Sequence, residues 1–311
     1  LGKAKNVRIF TDLGRRVRRR SMSSPLESQP LLKWAGGKRQ LLGLILSRLP
    51  ARIDTYFEPF VGGGAVFFAL ANERRFKRAV LADQNEELVE TYLAVQRDVT
   101  SVIRELAKMP HSEEHYYKVR AQKPRLPTKR AARMIYLNRT GFNGLYRVNR
   151  SGQFNVPFGR YVQPKICDED RLLSVSRALQ GVEIRVADFE QTAARAKPSD
   201  AVYFDPPYVP VSPTARFAEY HNLPFGDAEH RRLAALYERL TQKGVTAVLS
   251  NSDTPRTREI FGHLRHETVE ARRNINSNGT RRGPIRELLV YGASVASERH
   301  YERARLVGAG A

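Results

Sequence analysis

The sequence predicts an α/β fold in which helices cover both faces of a parallel sheet and a mainly helical segment is inserted. From Leu31 onward, short apolar runs alternate with segments of helical periodicity, which is typical of βα repeats. Two of the runs end in sharp turns, one in glycines after Phe60 and one in prolines after Asp205. Residues 86–167 break the alternation and are too many for a loop in a compact domain, so they predict an insertion.

Six apolar runs are predicted strands, and the spacing between them leaves room for helices. A helix over Ala65–Arg75 follows the first glycine turn. Another is indicated before the fifth strand by residues at helical spacing, namely Leu233, Leu236, Tyr237 and Leu240. Because helices separate the strands, we expect the strands to run parallel. The predicted strands are Thr55–Phe60, Ala79–Ala82, Val182–Val186, Ala201–Phe204, Thr246–Ser250 and Leu288–Tyr291.

The same patterns divide the chain into parts. Residues 1–30 mix an arginine run with Ser-Met-Ser-Ser-Pro and lack periodicity, which favours a disordered basic arm. Residues 31–85 and 168–295 form the predicted sheet body, residues 86–167 an inserted domain, and residues 296–311 a C-terminal tail. We find no internal repeat.

Charge gives the first indication of a partner. The chain of 311 residues carries 53 Lys+Arg against 32 Asp+Glu, a net charge of +21. A surplus of this size favours a polyanion, and nucleic acid is the commonest one. The single cysteine, Cys167, excludes an internal disulfide framework and suits a reducing compartment. No apolar run is long enough to cross a bilayer, so we expect no membrane partner.

The turn Phe60-Val61-Gly62-Gly63-Gly64 lies between a predicted strand and a predicted helix. Glycines there let backbone N–H groups approach a ligand at the positive end of the helix. Asp83 ends the next strand, where an acidic side chain accepts hydrogen bonds from ribose hydroxyls. A dinucleotide fingerprint requires a third glycine, but Phe67 stands there, which disfavours a nicotinamide cofactor. A nucleoside with a small charged tail, such as S-adenosylmethionine, fits better, and a plain tight turn is the alternative.

A second glycine turn, Lys33-Trp34-Ala35-Gly36-Gly37-Lys38, is flanked by cations and an aromatic ring. It is not a Walker phosphate-binding loop, because only two glycines precede Lys38 and an arginine follows it. Lys38 can pair with a carboxylate, and Trp34 can cover a purine or a sulfonium. A buried tryptophan beside a surface turn is the alternative interpretation.

The most informative string is Ala201-Val202-Tyr203-Phe204-Asp205-Pro206-Pro207-Tyr208. In an open α/β sheet, chemistry collects at the carboxyl ends of the strands. Pro206 and Pro207 fix the turn, so the Asp205 carboxylate and the Pro206 carbonyl present two acceptors side by side. Two such acceptors match the hydrogens of an exocyclic amine and raise the charge density on its nitrogen, which can then attack a sulfonium methyl directly. Tyr208 offers a face on which an extruded base can stack. A strand that leaves into a Pro-Pro turn is the alternative.

Two other chemistries are disfavoured by the sequence. Methylation of cytosine at C5 requires an activated cysteine, and the acidic neighbours of Cys167 would raise the pKa of its thiol. His and Cys residues with the spacing of zinc ligands do not occur in the sequence. We therefore expect no metal requirement.

Within the insertion, residues 138–161 combine arginines with aromatic and amide side chains, and glycines there allow sharp bends. Arginine binds guanine bidentately or clamps phosphates, amides read adenine, and an aromatic ring can wedge into the gap left by a flipped base. We therefore expect double-stranded DNA as a partner, with a solvated β-hairpin as the alternative. The candidate contacts are Arg139, Arg147, Arg150, Arg160, Asn143 and Asn149.

Together these motifs resemble the Dam-type DNA adenine methyltransferases, from about Leu31 to Tyr291 and in the family's motif order. The matching segments are Lys33–Lys38, Phe60–Gly64, Asp83, Asn138–Tyr161, Asp205–Tyr208 and Arg216–His221. The resemblance implies a Rossmann-like methyltransferase sheet with an inserted, mainly helical DNA-recognition domain that includes a β-hairpin. It also implies methyl transfer from S-adenosylmethionine to N6 of a flipped adenine in GATC, and hence a cytoplasmic, nucleoid-associated enzyme.

The resemblance also implies roles for individual residues at the matching positions. The implied donor site consists of the contacts Trp34, Lys38, Asp83 and Asp205, the pocket residues Phe60, Gly62 and Gly64, and the adenine-side residues Asp188 and Phe189. The implied DNA contacts are Phe142, which would insert where the target base leaves, the base-reading residues Lys33, Leu145, Arg147 and Pro157, and the closing loop with Ser212, Thr214 and Arg216–His221.

The chain departs from the family pattern in its arginine-rich first 30 residues, in Phe142 where a tyrosine is common, and in Tyr146 beside the reading arginine. The same acceptors serve any exocyclic amine, so methylation of cytosine N4 in DNA or of adenine in RNA stays open. A non-catalytic DNA-binding protein with this fold is a third possibility, against which the intact Asp205–Tyr208 motif argues. The sequence does not distinguish an independent enzyme from the protective half of a restriction pair.

Overall fold

The computed structural model describes residues 27–34, 38, 40–149, 151–210, 225–272 and 284–292. Within these ranges the strands are β1 (Ile53–Glu58), β2 (Phe76–Asp83), β3 (Glu183–Val186), β4 (Ala201–Phe204), β5 (Thr246–Ser252), β6 (His266–Arg272) and β7 (Pro284–Gly292). The α-helices are α1 (Leu42–Arg48), α2 (Ala65–Asn72), α3 (Glu86–Ala107), α4 (Glu113–Ala121), α5 (Pro127–Thr140), α6 (Glu169–Ala178), α7 (Phe189–Ala193), α8 (Asp227–Gln242) and α9 (Pro255–Phe261). None of these helices is both long enough and apolar enough to span a membrane.

The seven strands form one sheet in the order β3-β2-β1-β4-β5-β7-β6. Neighbouring strands from β3 to β5 are parallel, with Phe57 of β1 in register with Val80 of β2 and Val202 of β4. β7 is antiparallel to both β5 and β6, so β6 points the same way as β5 and β7 alone is reversed. The expectation of a fully parallel sheet is therefore wrong for β7. The eleven residues between Arg272 and Pro284 are too few for a parallel crossover, which needs about a dozen or more.

The sheet has a hydrophobic core on each face, because successive residues of its buried strands point to opposite sides. Tyr56 and Tyr203 belong to one core, together with side chains of α1, α2, α3 and α6. Phe57 and Val202 belong to the other core, together with side chains of α7, α8 and α9. Helices thus cover both faces, and the predicted α/β fold class is confirmed.

The inserted segment begins with α3, whose first turn is capped by the side chain of Asn85, which accepts a hydrogen bond from the backbone N–H of Leu88 (3.0 Å). α3 packs against α5 and also against α6 and β3. Side chains of α3 and α5 belong to the same core as one face of the sheet. The insertion is therefore continuous with the sheet body, and its boundaries as a separate domain stay a prediction.

A loop whose described residues are 141–149 and 151–158 follows α5, where the sequence predicted a β-hairpin. Two isolated antiparallel bridges join its arms, Gly141 to Phe158 and Val148 to Phe154. Extended pairing between them is interrupted by a 3-10 turn at Phe142–Gly144, in which Asn143 has a positive φ of 54°. The hairpin is thus reduced to a bridged loop, because this turn takes its residues out of the extended conformation. We call residues 141–149 and 151–161 the reading loop, after the base-reading role that the sequence predicts for this segment.

The strand ends gather acidic side chains at one edge of the sheet. β1 ends at Glu58, β2 ends at Asp83, and Asp205 directly follows β4. Since β7 is reversed, its first half lies at this same edge, with Glu287 in register with Ser252 at the end of β5. Sheets of this class hold their ligands at the carboxyl edge, so four carboxyl groups lie where a ligand is expected.

We expect the loss of Asp200, at the opposite edge, to destabilise the fold. This buried side chain accepts hydrogen bonds from the backbone N–H groups of Thr55 (2.9 Å) and Lys197 (2.8 Å). Each buried donor left unpaired costs about 1–3 kcal/mol, so Asp200→Ala should lower the free energy of unfolding, measured in urea, by at least about 2 kcal/mol. The control Asp54→Ala removes an ion pair with the exposed Lys77 and a side-chain bond with the exposed Ser199, and it should leave the midpoint close to that of the unchanged protein. Equal losses in the two variants would contradict the role of Asp200.

Candidate active site

An ion pair between Lys38 and Asp205 lies at the carboxyl edge of the sheet. The Lys38 Nζ and Asp205 Oδ1 atoms are 2.7 Å apart, and the two side chains are 4% and 22% exposed. The hydroxyl of Ser250, on β5, donates a second hydrogen bond to the same Oδ1 atom (3.2 Å). Burial raises the pKa of Asp205, while Lys38 and Ser250 act in the opposite direction. The structure thus brings together a lysine and an aspartate that are far apart in sequence and orients the carboxylate from two sides.

Tyr208 is fixed by a carboxylate and a cation. Its hydroxyl donates a hydrogen bond to Glu287 Oε2 (2.8 Å), and the Lys38 Nζ atom lies 4.7 Å from the centre of its ring. Burial raises the pKa of Glu287, and both Lys38 and the bond from Tyr208 oppose that shift. The ring next to the two acceptors therefore has a defined orientation.

The chain beyond Tyr208 is fastened to β5. The backbone N–H of Val209 donates to Asn251 Oδ1 (3.1 Å), and the Ser252 hydroxyl donates to the Val209 carbonyl (2.6 Å). Both backbone polar groups of Val209, the residue after the motif, are therefore hydrogen-bonded to β5. Together with Pro206 and Pro207, these bonds fix the backbone that carries the predicted acceptors.

Glu58 is a buried carboxyl group beside this ion pair. The Tyr56 hydroxyl donates to Glu58 Oε2 (2.8 Å), and the backbone N–H of Phe67 at the start of α2 donates to the same group. Burial raises the pKa of Glu58 to about 8, with a further contribution from the charge of Asp205 and an opposing one from Lys38. Glu58 is therefore largely protonated at neutral pH.

The glycine turn after β1 lies against the end of β2. The Gly62 N–H donates to Asp83 Oδ2 (3.2 Å), and the Asn85 N–H donates to Asp83 Oδ1 (3.0 Å). Gly62 has a φ of 45°, and a Cβ atom there would lie 2.7 Å from Trp34 Cδ1. This combination of positive φ and close approach requires glycine. The turn, Asp83 and Trp34 are thus in direct contact, as the sequence grouped them.

An aromatic cluster lies on the other side of the glycine turn. Phe60 stacks on Phe189 with 5.6 Å between ring centres, and Phe225 packs edge-on against both. Asp188 caps α7 and pairs with Arg232 (3.1 Å), whose guanidinium carbon also lies 4.9 Å from the Phe189 ring. The pair predicted for the adenine side of the donor therefore adjoins the glycine turn.

These residues fit a nucleoside with a cationic tail. Asp83 accepts one backbone N–H on each oxygen, and a carboxylate oxygen has a further lone pair for a ribose hydroxyl. Phe60 and Phe189 provide an apolar neighbourhood for a purine. The Asp205 carboxylate suits a positively charged tail, and such a charge would also favour the ionised form of Glu58. No group of His, Cys, Asp or Glu side chains in the described ranges is arranged to hold a metal ion.

The Lys33–Trp34 segment connects the glycine turn to the reading loop. Asn138, at the end of α5, accepts a hydrogen bond from the Lys33 N–H (2.8 Å) and donates to the Lys33 carbonyl (2.8 Å) and the Gly144 carbonyl (2.9 Å). The Lys33 ammonium lies 4.7 Å from the centre of the Tyr161 ring. The structure thus places Lys33 in contact with the reading loop.

The predicted reading residues differ in what they present to solvent. Phe142 is 46% exposed and precedes Asn143 at the turn, and Pro157 and Arg160 are also exposed while Leu145 is half-buried. The exposed Arg147 donates to Asn155 Oδ1 (2.8 Å), which holds its guanidinium against the opposite arm of the loop. The Asn149 side chain accepts the backbone N–H groups of Ser151 and Gln153, so its oxygen shapes the tip of the loop.

Arg139 lies differently from the other predicted DNA contacts. Its Nη2 atom donates to the Leu31 carbonyl (3.3 Å), and burial followed by the charge of Arg171 lowers its pKa to about 10. It belongs to the last turn of α5, next to the N-terminal segment, where burial and then the charge of Arg139 lower the pKa of Lys33. The DNA contact of Arg139 stays a prediction. Arg150, Ser212, Thr214 and Arg216–His221 lie outside the described residues.

The sequence analysis missed four polar residues of the site, namely Glu58, Ser250, Asn251 and Glu287. Glu58 could have been found by the strand-end rule that identified Asp83, but the first strand was extended to Phe60. Ser250 and Asn251 lie at the end of β5 and follow the same rule. Predicting Glu287 would have required knowing that β7 is reversed and how β7 is registered with β5, and the sequence pattern does not show either.

Comparison with known proteins identifies the family. The sequence profile described as D12 class N6 adenine-specific DNA methyltransferase matches residues 34–275. The chain is 41% identical to type II methyltransferase M.MjaIII of Methanocaldococcus jannaschii over 289 residues, which cover 85% of this chain and 99% of that protein. It is 37% identical to the DNA adenine methylase of Escherichia coli K12 over 270 residues, which cover 85% of this chain and 95% of the relative. The chain therefore belongs to the D12 class N6 adenine-specific DNA methyltransferase family and is an adenine-specific DNA methyltransferase, which confirms the resemblance found in its motifs.

The raised pKa of Glu58 predicts a pH dependence of stability. A folded-state pKa of about 8 against the ordinary 4.5 means that the folded protein binds an extra proton between these values, so the free energy of unfolding falls as pH rises through that window. Glu58→Gln mimics the neutral carboxyl group and should flatten this fall, as measured by urea denaturation from about pH 5 to about pH 8. Asp205, whose pKa is also raised, leaves a residual slope. The exposed Glu183→Gln serves as a control, and parallel curves for the unchanged and Glu58→Gln proteins would refute the assignment.

Proposed function

We propose that the protein transfers a methyl group from S-adenosylmethionine to N6 of an adenine flipped out of double-stranded DNA, within GATC. The observation that carries the proposal is the position of Asp205. Its carboxylate adjoins the Pro-Pro turn and the Tyr208 ring, and it is paired with Lys38, which lies four residues after Trp34. Trp34 in turn contacts the glycine turn beside Asp83. A carboxylate acceptor, a stacking face and a nucleoside pocket are thus linked through one short segment.

Asp205 accepts a hydrogen bond from the amine most strongly when it is ionised. Burial works against ionisation, and the Lys38 ammonium at 2.7 Å opposes that effect. The bonds from Lys38 and Ser250 both reach Oδ1, so they orient the carboxylate and direct Oδ2 as the acceptor for one N6 hydrogen. The Pro206 carbonyl is the proposed acceptor for the other.

The donor, when bound, supplies an electrophilic methyl group that N6 attacks in line. Hydrogen bonds to both N6 hydrogens favour a pyramidal nitrogen whose lone pair points away from the ring, and fixed acceptors need no reorganisation during the reaction. As the new N–C bond forms, the S–CH3 bond breaks and the bonding electrons stay on the sulfur of the departing thioether. N6 must also release one proton, and Asp205 Oδ2 is the proposed nearest acceptor. Tyr208, held by Glu287, stacks on the extruded base and keeps its amine at the acceptors.

The reading loop and Lys33 form the proposed DNA interface. Phe142 is exposed at the turn and can fill the gap left by the base. Arg147, Lys33, Leu145 and Pro157 are the proposed base-reading residues. The net charge of +21 favours a DNA partner, and GATC rests on the matching motif positions together with relatives named DNA adenine methylase. A DNA substrate leads us to propose a cytoplasmic location.

A methylation assay with nucleoside analysis tests the proposal. The protein is incubated with an unmethylated duplex containing GATC and labelled methyl donor, and the digested nucleosides are identified. We expect N6-methyladenine in GATC and little label in a duplex with one changed base pair. Asp205→Asn should lower kcat by about 10²–10³-fold with duplex binding largely retained, whereas Asp54→Asn, at the opposite edge, should remain active. Label on cytosine, or on RNA alone, would overturn the proposal.

Arg147→Ala tests the reading role of this residue. Loss of a bidentate contact to guanine should cost about 1–3 kcal/mol at one base pair and relax the preference there. The measurement compares kcat/KM on duplexes that vary each position of the site. Arg195→Ala, which removes an exposed arginine paired with Glu183, is the control and should leave the preference unchanged. An equal loss on every duplex would instead make Arg147 a phosphate contact.

A further inference from the structure

Tyr146, where the chain departs from its family pattern, contacts the proposed donor site. Its ring stacks on the indole of Trp34, with 5.5 Å between ring centres and 23° between ring planes. It is 7% exposed and directly precedes the exposed Arg147 in the reading loop. The side chain of Tyr146 therefore contacts Trp34, a proposed donor contact, and its backbone adjoins Arg147, a proposed base-reading residue.

Trp34 also contacts the glycine turn. A Cβ atom on Gly62 would lie 2.7 Å from the indole, and one on Gly63 would lie 3.3 Å from Trp34 Cβ. Any displacement of the indole toward this turn would meet the backbone next to Asp83. The indole thus contacts both the turn proposed to hold the donor and the ring of Tyr146.

Tyr146 is also anchored to the body of the protein. Its hydroxyl donates a hydrogen bond to Glu87 Oε2 (3.0 Å), and Glu87 pairs through Oε1 with Arg133 of α5 (2.7 Å). Asn138 binds both backbone polar groups of Lys33 and the carbonyl of Gly144. The relative position of the Lys33–Trp34 segment and the reading loop is therefore set by a ring stack and the three hydrogen bonds of Asn138, of which the one to Gly144 is buried.

We propose that Tyr146 is a positioning residue that couples donor binding to base reading, because its stack on Trp34 joins the donor site to the loop that carries Arg147. The inference rests on the proposed roles of Trp34 and Arg147. A donor that fixes the indole favours one placement of Tyr146 and thus of Arg147, and by linkage a correctly read duplex strengthens donor binding by the same factor. Packed rings transmit such a preference because they interlock and do not deform continuously.

Calorimetry with S-adenosylhomocysteine, which blocks turnover, measures this coupling. Its Kd is determined with a saturating GATC duplex and with a duplex altered at one base pair. We expect the GATC duplex to tighten binding at least about fivefold relative to the altered duplex, the lower end of typical coupling. Tyr146→Leu should reduce this ratio below about twofold, while Tyr146→Phe, which keeps the ring and loses the bond to Glu87, should retain most of it.

Trp34 is the single tryptophan of the chain, so its fluorescence reports on the stack without any substitution. The GATC duplex should change its emission more than the altered duplex does, and Tyr146→Leu should abolish the difference. Tyr291→Leu is the matched control, since Tyr291 contacts Arg48 and Arg265 and is in register with Val248, near the edge opposite the site. This control should keep the coupling ratio of the unchanged protein.

The outcomes separate the inference from the proposed function. If the unchanged protein binds the probe and methylates GATC but shows a ratio near one, or if Tyr146→Leu keeps the full ratio, the inference is refuted and the function stands. Identical Trp34 spectra with the two duplexes would also refute it, even if Tyr146→Leu fails to fold. If the unchanged protein neither binds the probe nor methylates adenine, the proposed function fails first.

Discussion

Lys38 brings a buried positive charge to an edge of the sheet at which several strands place carboxyl groups. A buried charge is costly unless it is paired and hydrogen-bonded, and removing one partner of a buried pair leaves an uncompensated charge. Lys38 lies 2.7 Å from Asp205, and its charge also lowers the pKa values of Glu58 and Glu287 against the effect of burial. One ammonium group therefore acts on three carboxyl groups, and the rest of the site is arranged around it.

This distribution of charge explains why the carboxyl groups differ in their surroundings. Asp205 has the close ion pair and the bond from Ser250, so it is the carboxyl group best supported in the ionised form. Glu58 has a pKa of about 8 because it is buried and near Asp205, and its neutral form avoids a second negative charge beside the first. A cationic donor would favour ionisation at this edge in the same way as Lys38 does. The protonation of Glu58 is thus expected to respond to the donor as well as to pH.

The sequence was sufficient for the parts of the site that follow from strand ends. Asp83 and Asp205 could be predicted because apolar runs followed by turns mark the carboxyl ends of parallel strands, and these ends share an edge. Glu287 could not be predicted, because its place depends on the reversal of β7 and on register with Ser252. The hydrogen bond from Arg139 to the carbonyl of Leu31 could not be predicted either, because it depends on how the last turn of α5 packs against the N-terminal segment. The local sequence pattern locates strand ends well, whereas the partner that a helix side chain contacts depends on tertiary packing.

The reading loop and the glycine turn meet on two consecutive residues, Lys33 and Trp34. A side chain on Gly144 would collide with the methylenes of Lys33, and one on Gly62 would collide with the Trp34 indole. Both glycines also have positive φ values, so a larger residue at either place would be strained as well as crowded. Close approach of the backbone on both sides leaves this dipeptide little room to move. If the loop contacts DNA as proposed, a change in its position is accommodated more readily at Tyr146 and Asn138 than at the glycines, because these two residues hold the loop to the dipeptide through a ring and an amide.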